Sequence, residues 1–494
     1  MSVRASIKFR YRGLTVELTD VGPMETLLEW LRLDQHAMGT KEGCVEGDCG
    51  ACTVALGSLR DGKVVYEPVN ACILLLGMID GKELISVDDL AGGGELHPVQ
   101  QAMVETHGSQ CGFCTPGFVM SLFTLYHRGG PVDRSAVNDQ IAGNLCRCTG
   151  YRPIADAALK ICSGTPQDAW VAAADEAASH LADLDDGRDV FIGDADSFIA
   201  APSSEYALAA LYSAHPEATL VGGATDVGLW ITKQLRTLPK IILTGRVKSL
   251  HAITETADAV TIGAAATYAE AEAALGGIDP DIAEMLRRLG SRQVRASGTV
   301  GGNIANGSPI GDTPPVLIAL KARLQLRHGE TVREIALEDF FVDYGKQDRA
   351  AGELVTKVIV PKLESDQVFR CYKISKRFDQ DISALLGAFR FTIKGTRIRN
   401  VRIAYGGMAA TPKRAPAAES ALQGAKLKDR NGWENAAAAL DRDFSPIDDM
   451  RSSAEYRRET AKSLLMKALI EVAGEQTSTT RVTGVRGGEL ESVA

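Results

Sequence analysis

The chain has 494 residues, of which 45% are hydrophobic and 24% charged, and its formal net charge is −9. This length predicts three or four domains, and the acidic balance argues against nucleic acid or an anionic membrane as a partner. The sequence shows no secretory signal and no apolar run that would span a membrane, so we expect a cytoplasmic protein whose thiols stay reduced.

The first ninety residues predict a small strand-rich domain. Alternating apolar residues over 5–18 predict two strands around the turn Arg12-Gly13. A helix is predicted to begin at Pro23, and two further strands are predicted over Thr53–Leu59 and Lys63–Glu67.

Helices dominate the next part, 91–163, and a linker follows it over 164–188. Four helices are predicted, over His97–His107, Pro116–Arg128, Val132–Gly143 and Pro153–Cys162. The linker is rich in Ala and Asp and is predicted to be partly helical.

Short strands alternate with helices over 189–365, and a strand cluster precedes a helix over 366–475. The predicted strands are Thr219–Val221, Ile241–Leu243, Val260–Ile262, Val358–Val360, Arg370–Ile374, Ala388–Ile393 and Arg397–Tyr405, and the helix is Tyr456–Val472. The last residues, 476–494, predict a flexible tail. The expected fold class is a multidomain α+β protein.

Four cysteines form a first set with the spacing of a plant-type [2Fe–2S] site: Cys44, Cys49, Cys52 and Cys72. A loop that wraps a cluster needs residues tolerant of positive φ, and we expect Gly43, Gly47 and Gly50 to supply them. A tetrahedral zinc site is the alternative, although zinc sites usually show two short cysteine pairs.

A second set comprises Cys111, Cys114, Cys146 and Cys148. This pair of pairs also fits zinc, and the residues alone leave that alternative open. Each pair precedes a helix predicted to start at a proline, Pro116 or Pro153, where the helix dipole would favour a negative cluster. The other two cysteines, Cys162 and Cys371, are predicted to be buried as small hydrophobic residues.

Two glycine-rich turns, Thr219–Gly228 and Ala296–Asp312, could expose backbone amides to a pyrophosphate. From the residues alone, an ordinary tight turn is the favoured interpretation of each. No G-x-G-x-x-G fingerprint accompanies them, so a Rossmann-type nucleotide site has no support.

Three long motifs resemble the molybdenum hydroxylase family and, within it, the xanthine dehydrogenases. They are Gly43–Cys52 (GCVEGDCGAC), Gln110–Gly117 (QCGFCTPG) and Gly143–Pro153 (GNLCRCTGYRP). The resemblance implies a β-grasp ferredoxin domain over 1–90 and a four-helix [2Fe–2S] domain over 91–163. It further implies a two-subdomain α+β FAD-binding domain over 189–365 and a C-terminal α+β flavoprotein domain over 366–475.

The resemblance implies two [2Fe–2S] clusters, one on each cysteine set, and one FAD. It assigns FAD binding to Leu220, Val221, Gly222, Gly223, Ala224, Thr225, Asp226, Val227, Thr299, Val300, Gly301, Gly302, Asn303, Asp312, Val355 and Lys373. It places Lys373–Asp381 on the NAD side of the flavin, although these residues alone also fit a solvated loop. Leu289 departs from animal members of the family, which have an aromatic residue beside the flavin. No catalytic acid or base is assigned.

The implied function is that of the electron-transfer subunit of a bacterial two-subunit xanthine dehydrogenase. A large partner subunit would hold the molybdopterin cofactor close to Gln110 and oxidise hypoxanthine and xanthine to urate, in a heterotetramer of two small and two large subunits. Electrons would pass through the second cysteine set, then the first, to FAD and NAD⁺. Two alternatives are the same subunit of a hydroxylase for an aldehyde or N-heterocycle, and a zinc-binding interaction protein without a redox role.

Overall fold

The computed structural model describes residues 3–92 and 94–475, and the predicted tail lies outside them. The chain divides into two compact units, the first comprising residues up to 249 together with 290–298, and the second 250–289 and the residues from 299 on. The predicted α+β multidomain fold class is confirmed. Among the described residues, no helix is long and apolar enough to cross a membrane.

The first unit begins with a mixed five-stranded sheet. Its strands lie in the order Leu14–Leu18, Ile7–Tyr11, Glu83–Ile85, Thr53–Arg60 and Lys63–Asn70. The predicted hairpin is confirmed, because Phe9 pairs with Val16 in antiparallel register. The side chains of Ile7 and Phe9 are buried, as the alternation of apolar residues requires.

The helix that packs on this sheet begins later than predicted. It covers Leu27–Glu29 and continues as a π-helical turn over Trp30–Asp34. Thr26 caps its first turn, since its hydroxyl accepts the Glu29 N–H at 3.2 Å while the Glu29 carboxylate accepts the Thr26 N–H at 2.9 Å. The prediction that Pro23 starts the helix is wrong, because this capping box fixes the start.

A helical region follows in the first unit, and the four predicted helices are confirmed to within two residues. The helices are Pro98–Glu105, Thr115–Arg128, Arg134–Ile141 and Arg152–Ile161, followed by Ala169–Ala172 and Ala174–Leu184 in the predicted linker. Pro116 and Pro153 lie in the first turns of their helices, as predicted.

A second five-stranded sheet completes the first unit. Its order is Val3–Arg4, Asp189–Gly193, Phe198–Ala201, Lys240–Leu243 and Thr219–Val221. The helices Glu205–Ala214 and Val227–Thr232 follow strands of this sheet, whereas Arg292–Ser297 packs against the strand Lys63–Asn70 of the first sheet. One hydrophobic cluster contains residues of both sheets, among them Phe9 and Val221.

The second unit contains a five-stranded sheet, a four-stranded sheet and a short strand pair. The five-stranded sheet has the order Ile253–Glu255, Ala259–Gly263, Leu354–Pro361, Arg323–His328 and Thr331–Ala336. The four-stranded sheet has the order Gln367–Ile374, Leu385–Lys394, Arg397–Gly406 and Lys413–Arg414, and the short pair joins Phe341–Asp343 to Lys346–Gln347. Short 3-10 turns occur along the chain at Leu76–Ile79, Val87–Asp89 and Lys248–Leu250.

The helices of the second unit cover these sheets. They are Tyr268–Gly276, Pro280–Arg287, Val300–Asn306, Thr313–Ala319, Leu337–Phe340, Pro416–Leu422, Arg430–Asp443 and Ala454–Val472. The predicted final helix is confirmed. Sequence analysis missed Arg430–Asp443, although Asp429 caps it and the fully buried Trp433 anchors it in the core.

Candidate functional site

The thiols of the first cysteine set converge in the first unit. Cys52 and Cys72 are buried, whereas Cys44 and Cys49 are partly exposed. Thiol hydrogen bonds join Cys44 to Cys49 and Cys72, and Cys72 to Cys52. These bonds lower the pKa of Cys44 far below that of a free thiol and raise the pKa of Cys72. Four sulfur atoms that share protons in this way form a metal-binding donor set once the protons are lost.

Backbone N–H groups surround the Cys44 sulfur. The N–H groups of Glu46, Asp48 and Cys49 donate to Cys44 Sγ at 3.4, 3.4 and 3.3 Å. The Cys44 N–H in turn donates to Cys49 Sγ at 3.4 Å. Amide donors aimed at sulfur stabilise a negatively charged cluster and tune its potential, so this loop fits a [2Fe–2S] cluster.

The glycines of this loop differ in what they contribute. Gly47 and Gly50 have φ angles of 75° and 67°, as predicted. The prediction for Gly43 is wrong, because its backbone is not left-handed; a Cβ there would instead lie 2.8 Å from Cys49 Sγ. Val45 takes the third left-handed conformation, with φ of 54°, which is uncommon for a β-branched residue.

The second cysteine set also converges, nearer the surface. Cys111 and Cys148 are exposed, Cys114 is partly exposed and Cys146 is buried. Thiol hydrogen bonds pair Cys111 with Cys148 and Cys114 with Cys146. Burial raises the pKa of Cys146, but hydrogen bonds from Thr149 and from backbone N–H groups outweigh it and bring that pKa down to about 7. This donor set fits a metal or an iron–sulfur cluster equally well.

The remaining cysteines lie apart from both sets. Cys162 is 1% exposed and Cys371 is 5% exposed, each within an apolar core. Burial raises the pKa of Cys162 to about 12, so its thiol stays protonated. Their prediction as small buried residues is confirmed.

The loops of the two cysteine sets touch each other. The N–H of Leu145, the residue before Cys146, donates to the carbonyl of Cys49 at 2.9 Å. The side-chain amide of Asn144 donates to the carbonyl of Gly50 at 3.0 Å. The two sets of thiols therefore lie on loops in direct hydrogen-bond contact.

Sequence analysis missed a buried glutamine that joins these loops. Gln293 is 1% exposed, and its Nε2 donates to Asn144 Oδ1 at 3.0 Å and to Ser121 Oγ at 3.1 Å. It also lies 3.3 Å from Thr53 Oγ1. No sequence motif marks Gln293, because its partners come from three distant segments of the chain.

The first predicted FAD segment, 220–227, lies in the first unit. It leads from the strand Thr219–Val221 into the helix Val227–Thr232. Ala224 adopts a φ of 57°, and a Cβ on Gly223 would lie only 1.9 Å from the carbonyl oxygen of Ser297. Gly222 and Gly223 are partly exposed, so the backbone of this turn can receive a phosphate.

The second predicted FAD segment, 299–303, lies in the second unit. The Thr299 hydroxyl accepts the Gly302 N–H at 3.0 Å and caps the helix Val300–Asn306. Asn303 Oδ1 accepts a hydrogen bond from Thr313 at 2.8 Å, which fixes the orientation of its amide. Gly302 is exposed, so the backbone there is open to a ligand.

Asp312 and Lys373 are brought together in the second unit. Lys373 Nζ lies 2.6 Å from Asp312 Oδ2, and Ser383 Oγ donates to Asp312 Oδ1 at 2.5 Å. Both carboxylate oxygens already accept a hydrogen bond, so any bond from a cofactor would be an additional one. Val355 is 7% exposed on the strand Leu354–Pro361, and Leu289 is 8% exposed in the same apolar core.

The loop Lys373–Asp381, predicted to lie on the NAD side, borders a cavity of about 500 Å³ in the second unit. The guanidinium carbons of Arg287 and Arg288 lie 5.5 and 4.5 Å from the centre of the exposed Phe378 ring. The cavity is lined by several cations and by Phe378, but also by the carboxylates of Asp281 and Glu284.

His97, His127 and Asp168 form a further cluster in the first unit, with both His Nε2 atoms at 2.7 and 2.8 Å from Asp168 Oδ2. His97 Nδ1 accepts the Val99 N–H at 3.2 Å. The proton of a neutral His97 must then sit on Nε2, which donates to Asp168 and is unsuited to bind a metal. The three side chains form a hydrogen-bonded cluster that anchors the start of the linker helix Ala169–Ala172.

Three families match parts of the chain. Residues 86–159, which contain the second cysteine set, match a [2Fe–2S] binding domain. Residues 195–363 match the FAD binding domain in molybdopterin dehydrogenase, and residues 370–472 match the CO dehydrogenase flavoprotein C-terminal domain. These matches support FAD and an iron–sulfur cluster as cofactors.

Curated relatives match nearly the whole chain. The xanthine dehydrogenase of Blastobotrys adeninivorans is 29% identical and aligns with 93% of this chain and 40% of its own length. That of Emericella nidulans is 31% identical, aligning with 89% of this chain and 36% of its own length. The chain thus spans about two fifths of the length of these relatives.

Solved structures match part of the chain. A reconstituted CO dehydrogenase from Oligotropha carboxidovorans has a TM-score of 0.53 and 26% identity, covering 57% of this chain and 99% of that chain. The CO dehydrogenase from Hydrogenophaga pseudoflava has a TM-score of 0.52 and 25% identity, covering 55% and 94%. Together, these matches make the chain similar to xanthine dehydrogenases over most of its length, and residues 195–363 and 370–472 similar to flavoprotein domains of molybdopterin and CO dehydrogenases.

Proposed function

We propose that this chain is the electron-transfer subunit of a xanthine dehydrogenase and acts with a large subunit that binds the molybdenum cofactor. It would carry a [2Fe–2S] cluster on each cysteine set and one FAD. Electrons from the oxidation of hypoxanthine or xanthine on the partner would enter at the second cysteine set. They would leave through the first set and the flavin to NAD⁺.

The hydrogen bond between Leu145 and Cys49 is the observation that carries this proposal. It joins the loop of the exposed set to the loop of the more buried set at 2.9 Å. Because Cys111 and Cys148 are exposed while Cys52 and Cys72 are buried, the second set is the one that a partner can approach. The order of the proposed route follows from this difference in burial.

The choice of xanthine dehydrogenase rests on how the relatives align. Single xanthine dehydrogenase chains align with 93% and 89% of this chain, so they contain counterparts of both the cysteine-rich and the flavin parts. The CO dehydrogenase chains cover only 55–57% of it. A hydroxylase for an aldehyde or another N-heterocycle is the alternative, and the substrate pocket of the partner would decide between them.

The experiment is a reconstitution of the complex with the variant Cys111→Ser. Removing one ligand of the second set should lower the iron content and abolish one of two paramagnetic signals of the reduced protein. It should also block reduction of NAD⁺ by xanthine. The control is Cys162→Ala, which removes a buried thiol outside both sets and should leave iron and turnover unchanged.

Two outcomes would contradict the proposal. Stoichiometric zinc in place of iron would exclude electron transfer through these sets. A Cys111→Ser complex that still reduces NAD⁺ with xanthine would show that electrons bypass the second set. Native mass spectrometry of the complex would test the expected assembly of two small and two large subunits.

A further inference from the structure

The helix that follows the first FAD segment packs directly on residues that neighbour the first cysteine set. A Cβ on Gly228, at the start of the helix Val227–Thr232, would lie 2.6 Å from the carbonyl oxygen of Ile73 and 2.7 Å from its Cβ. Atoms cannot approach that closely, so the helix reaches this position only because residue 228 has no side chain. The partner in the contact, Ile73, is the residue next to Cys72.

Ile73 packs against the helix at Gly228 on one side and against the cysteine loop at Gly47 on the other. Its Cδ1 lies where a Cβ of Gly47 would be, at 2.6 Å, so the side chain packs beneath the loop that holds Cys44 and Cys49. Ile73 is 4% exposed and Cys72 is 1% exposed. A shift of the Ile73 backbone would therefore displace a ligand of the first set.

A second contact joins the other end of the same helix to the same loop. The Thr232 hydroxyl donates to the carbonyl of Val45 at 2.8 Å and lies 3.0 Å from the carbonyl of Gly228. Val45 is the residue next to Cys44 and has the left-handed φ of 54°. The helix thus touches the neighbours of two different ligands, one at each of its ends.

The hydrophobic cluster that contains Phe9 and Val221 also contains thiols of the first cysteine set and residues of the first FAD segment. Cys52 and Cys72 belong to it together with Val221 and Ala224 of the first FAD segment. Close packing makes such a core stiff, so the spacing between the cysteine set and the segment is fixed by the protein.

We infer that Gly228 is a positioning residue, which sets the distance between the first cysteine set and the flavin, and that Thr232 holds the other end of the helix against Val45. This inference rests on the proposed function. Electron tunnelling falls steeply with the gap between carriers, so a glycine that permits contact at this point determines how fast the two exchange electrons. A side chain at residue 228 must separate the helix from Ile73 or displace Cys72.

The test is the variant Gly228→Ala in the full chain with its cofactors bound. The readout is the microwave power at which the EPR signal of the flavin radical saturates, since a nearby paramagnetic cluster speeds its relaxation. We expect the radical in Gly228→Ala to saturate at lower power than in the native protein. Gly245→Ala is the matched control, because a Cβ there would meet no atom within 4 Å, and its saturation should be native.

Two substitutions at Thr232 disturb the helix less, and they test the inference if Gly228→Ala does not fold. Thr232→Val keeps the shape of the side chain but loses the bond to Val45, and it should lower the saturation power in the same direction. Thr232→Ser retains the hydroxyl and should restore the native value. Iron and FAD contents, measured for every variant, show whether the cofactors are bound.

The outcomes separate this inference from the proposed function. A native chain that binds no iron or no FAD would overturn the proposed function. Native saturation in Thr232→Val, and in Gly228→Ala wherever that variant retains its cofactors, would overturn only the role of this helix.

Discussion

Gly43, Gly47 and Gly50 stand in one loop of ten residues but serve it in two ways. The positive φ angles of Gly47 and Gly50 turn the chain so that backbone N–H groups face Cys44. Gly43 is a glycine for lack of space, because a Cβ there would lie only 2.8 Å from the Cys49 sulfur. All three positions therefore require glycine. Gly47 and Gly50 require it for a positive φ angle, whereas Gly43 requires it for space.

Gly302 offers a test of the second FAD segment. It is exposed, and an added Cβ would meet only Thr299 within 4 Å, with the hydroxyl oxygen at 2.6 Å. We expect Gly302→Val to lower the FAD content, because branched methyl groups would obstruct close approach of the cofactor to the backbone. Flavin absorbance of the purified protein measures this, with both iron signals unchanged.

Two comparisons make the Gly302 result specific. Gly245→Val adds the same atoms at an exposed glycine with open space and should retain FAD. Thr299→Ser keeps the cap that accepts the Gly302 N–H and should also retain it. Full FAD occupancy in Gly302→Val would show that this segment is not at the cofactor.

The linker is anchored to the helical region by hydrogen bonds of Asp168, which its Ala- and Asp-rich composition did not predict. Its first helix begins at Asp168, whose Oδ1 accepts the Val171 N–H at 2.9 Å. The other oxygen accepts hydrogen bonds from His97 and His127, and the Asp168 side chain is 3% exposed. An Ala- and Asp-rich segment thus packs against the helical region through one buried carboxylate.

Asp168→Ala should therefore loosen the linker. It leaves two buried imidazole donors unpaired, which costs about 1–3 kcal/mol. The measurement is amide hydrogen exchange of the helix Ala174–Leu184, which reports local opening even where the whole chain does not unfold in one step. Asp183→Ala, which removes an exposed carboxylate from the same helix, should leave the exchange rates unchanged.

The stability that Asp168 gives to the linker depends on pH with a definite sign. Burial of Asp168 raises its pKa, but hydrogen bonds from His127 and His97 outweigh burial and hold the pKa well below its usual range. The stabilisation is then complete above the unfolded-state pKa of about 4 and is lost only in stronger acid, as pH falls through the depressed value. The protection of this helix, corrected for the intrinsic pH dependence of amide exchange, should stay constant from pH 8 to pH 5 in the native chain, and a loss of protection within that range would contradict an origin in this carboxylate.

For the whole molecule, the two compact units divide the proposed cofactor-binding residues between them. Both cysteine sets and residues 220–227 belong to the first unit, whereas 299–303, Asp312, Val355 and Lys373 belong to the second. The chain passes between the units three times, after residues 249, 289 and 298.

We expect the two half-reactions to separate when this chain is produced without its partner. Hydride exchange between NADH and FAD needs only the flavin and the proposed NAD loop, so the chain should reduce an artificial dye with NADH. It should contain no molybdenum and should not oxidise xanthine. Spectrophotometric dye assays and metal analysis test this, and Cys111→Ser should retain the dye reaction, since the second cysteine set lies outside that route.

Adding the molybdenum-bearing partner should then restore NAD⁺ reduction by xanthine. Oxidation of xanthine by the chain alone would contradict the division of labour. Loss of the dye reaction in Cys111→Ser, with FAD retained, would contradict the order of the route.

The sequence by itself determined the two cysteine sets that we propose as cluster ligands, because the groups of each set are largely local. Cys44, Cys49 and Cys52 share one loop with the N–H donors that face the Cys44 and Cys49 sulfur atoms. Pro116 and Pro153 lie in the first turns of the helices that follow the second set. Alternating apolar residues likewise determined the hairpin over 5–18 and most of the strands. Spacing within a short segment constrains geometry directly, since few backbone conformations connect such ligands.

Only the tertiary structure decided how these sites meet. The hydrogen bond from Leu145 to Cys49, the insertion of Gln293 and the approach of Gly228 to Ile73 each join segments that are far apart in the chain. Each of these residues is compatible with many local environments, so no short pattern reveals its partner. Their contacts arise from the packing of whole elements around shared cores, and packing depends on every element at once.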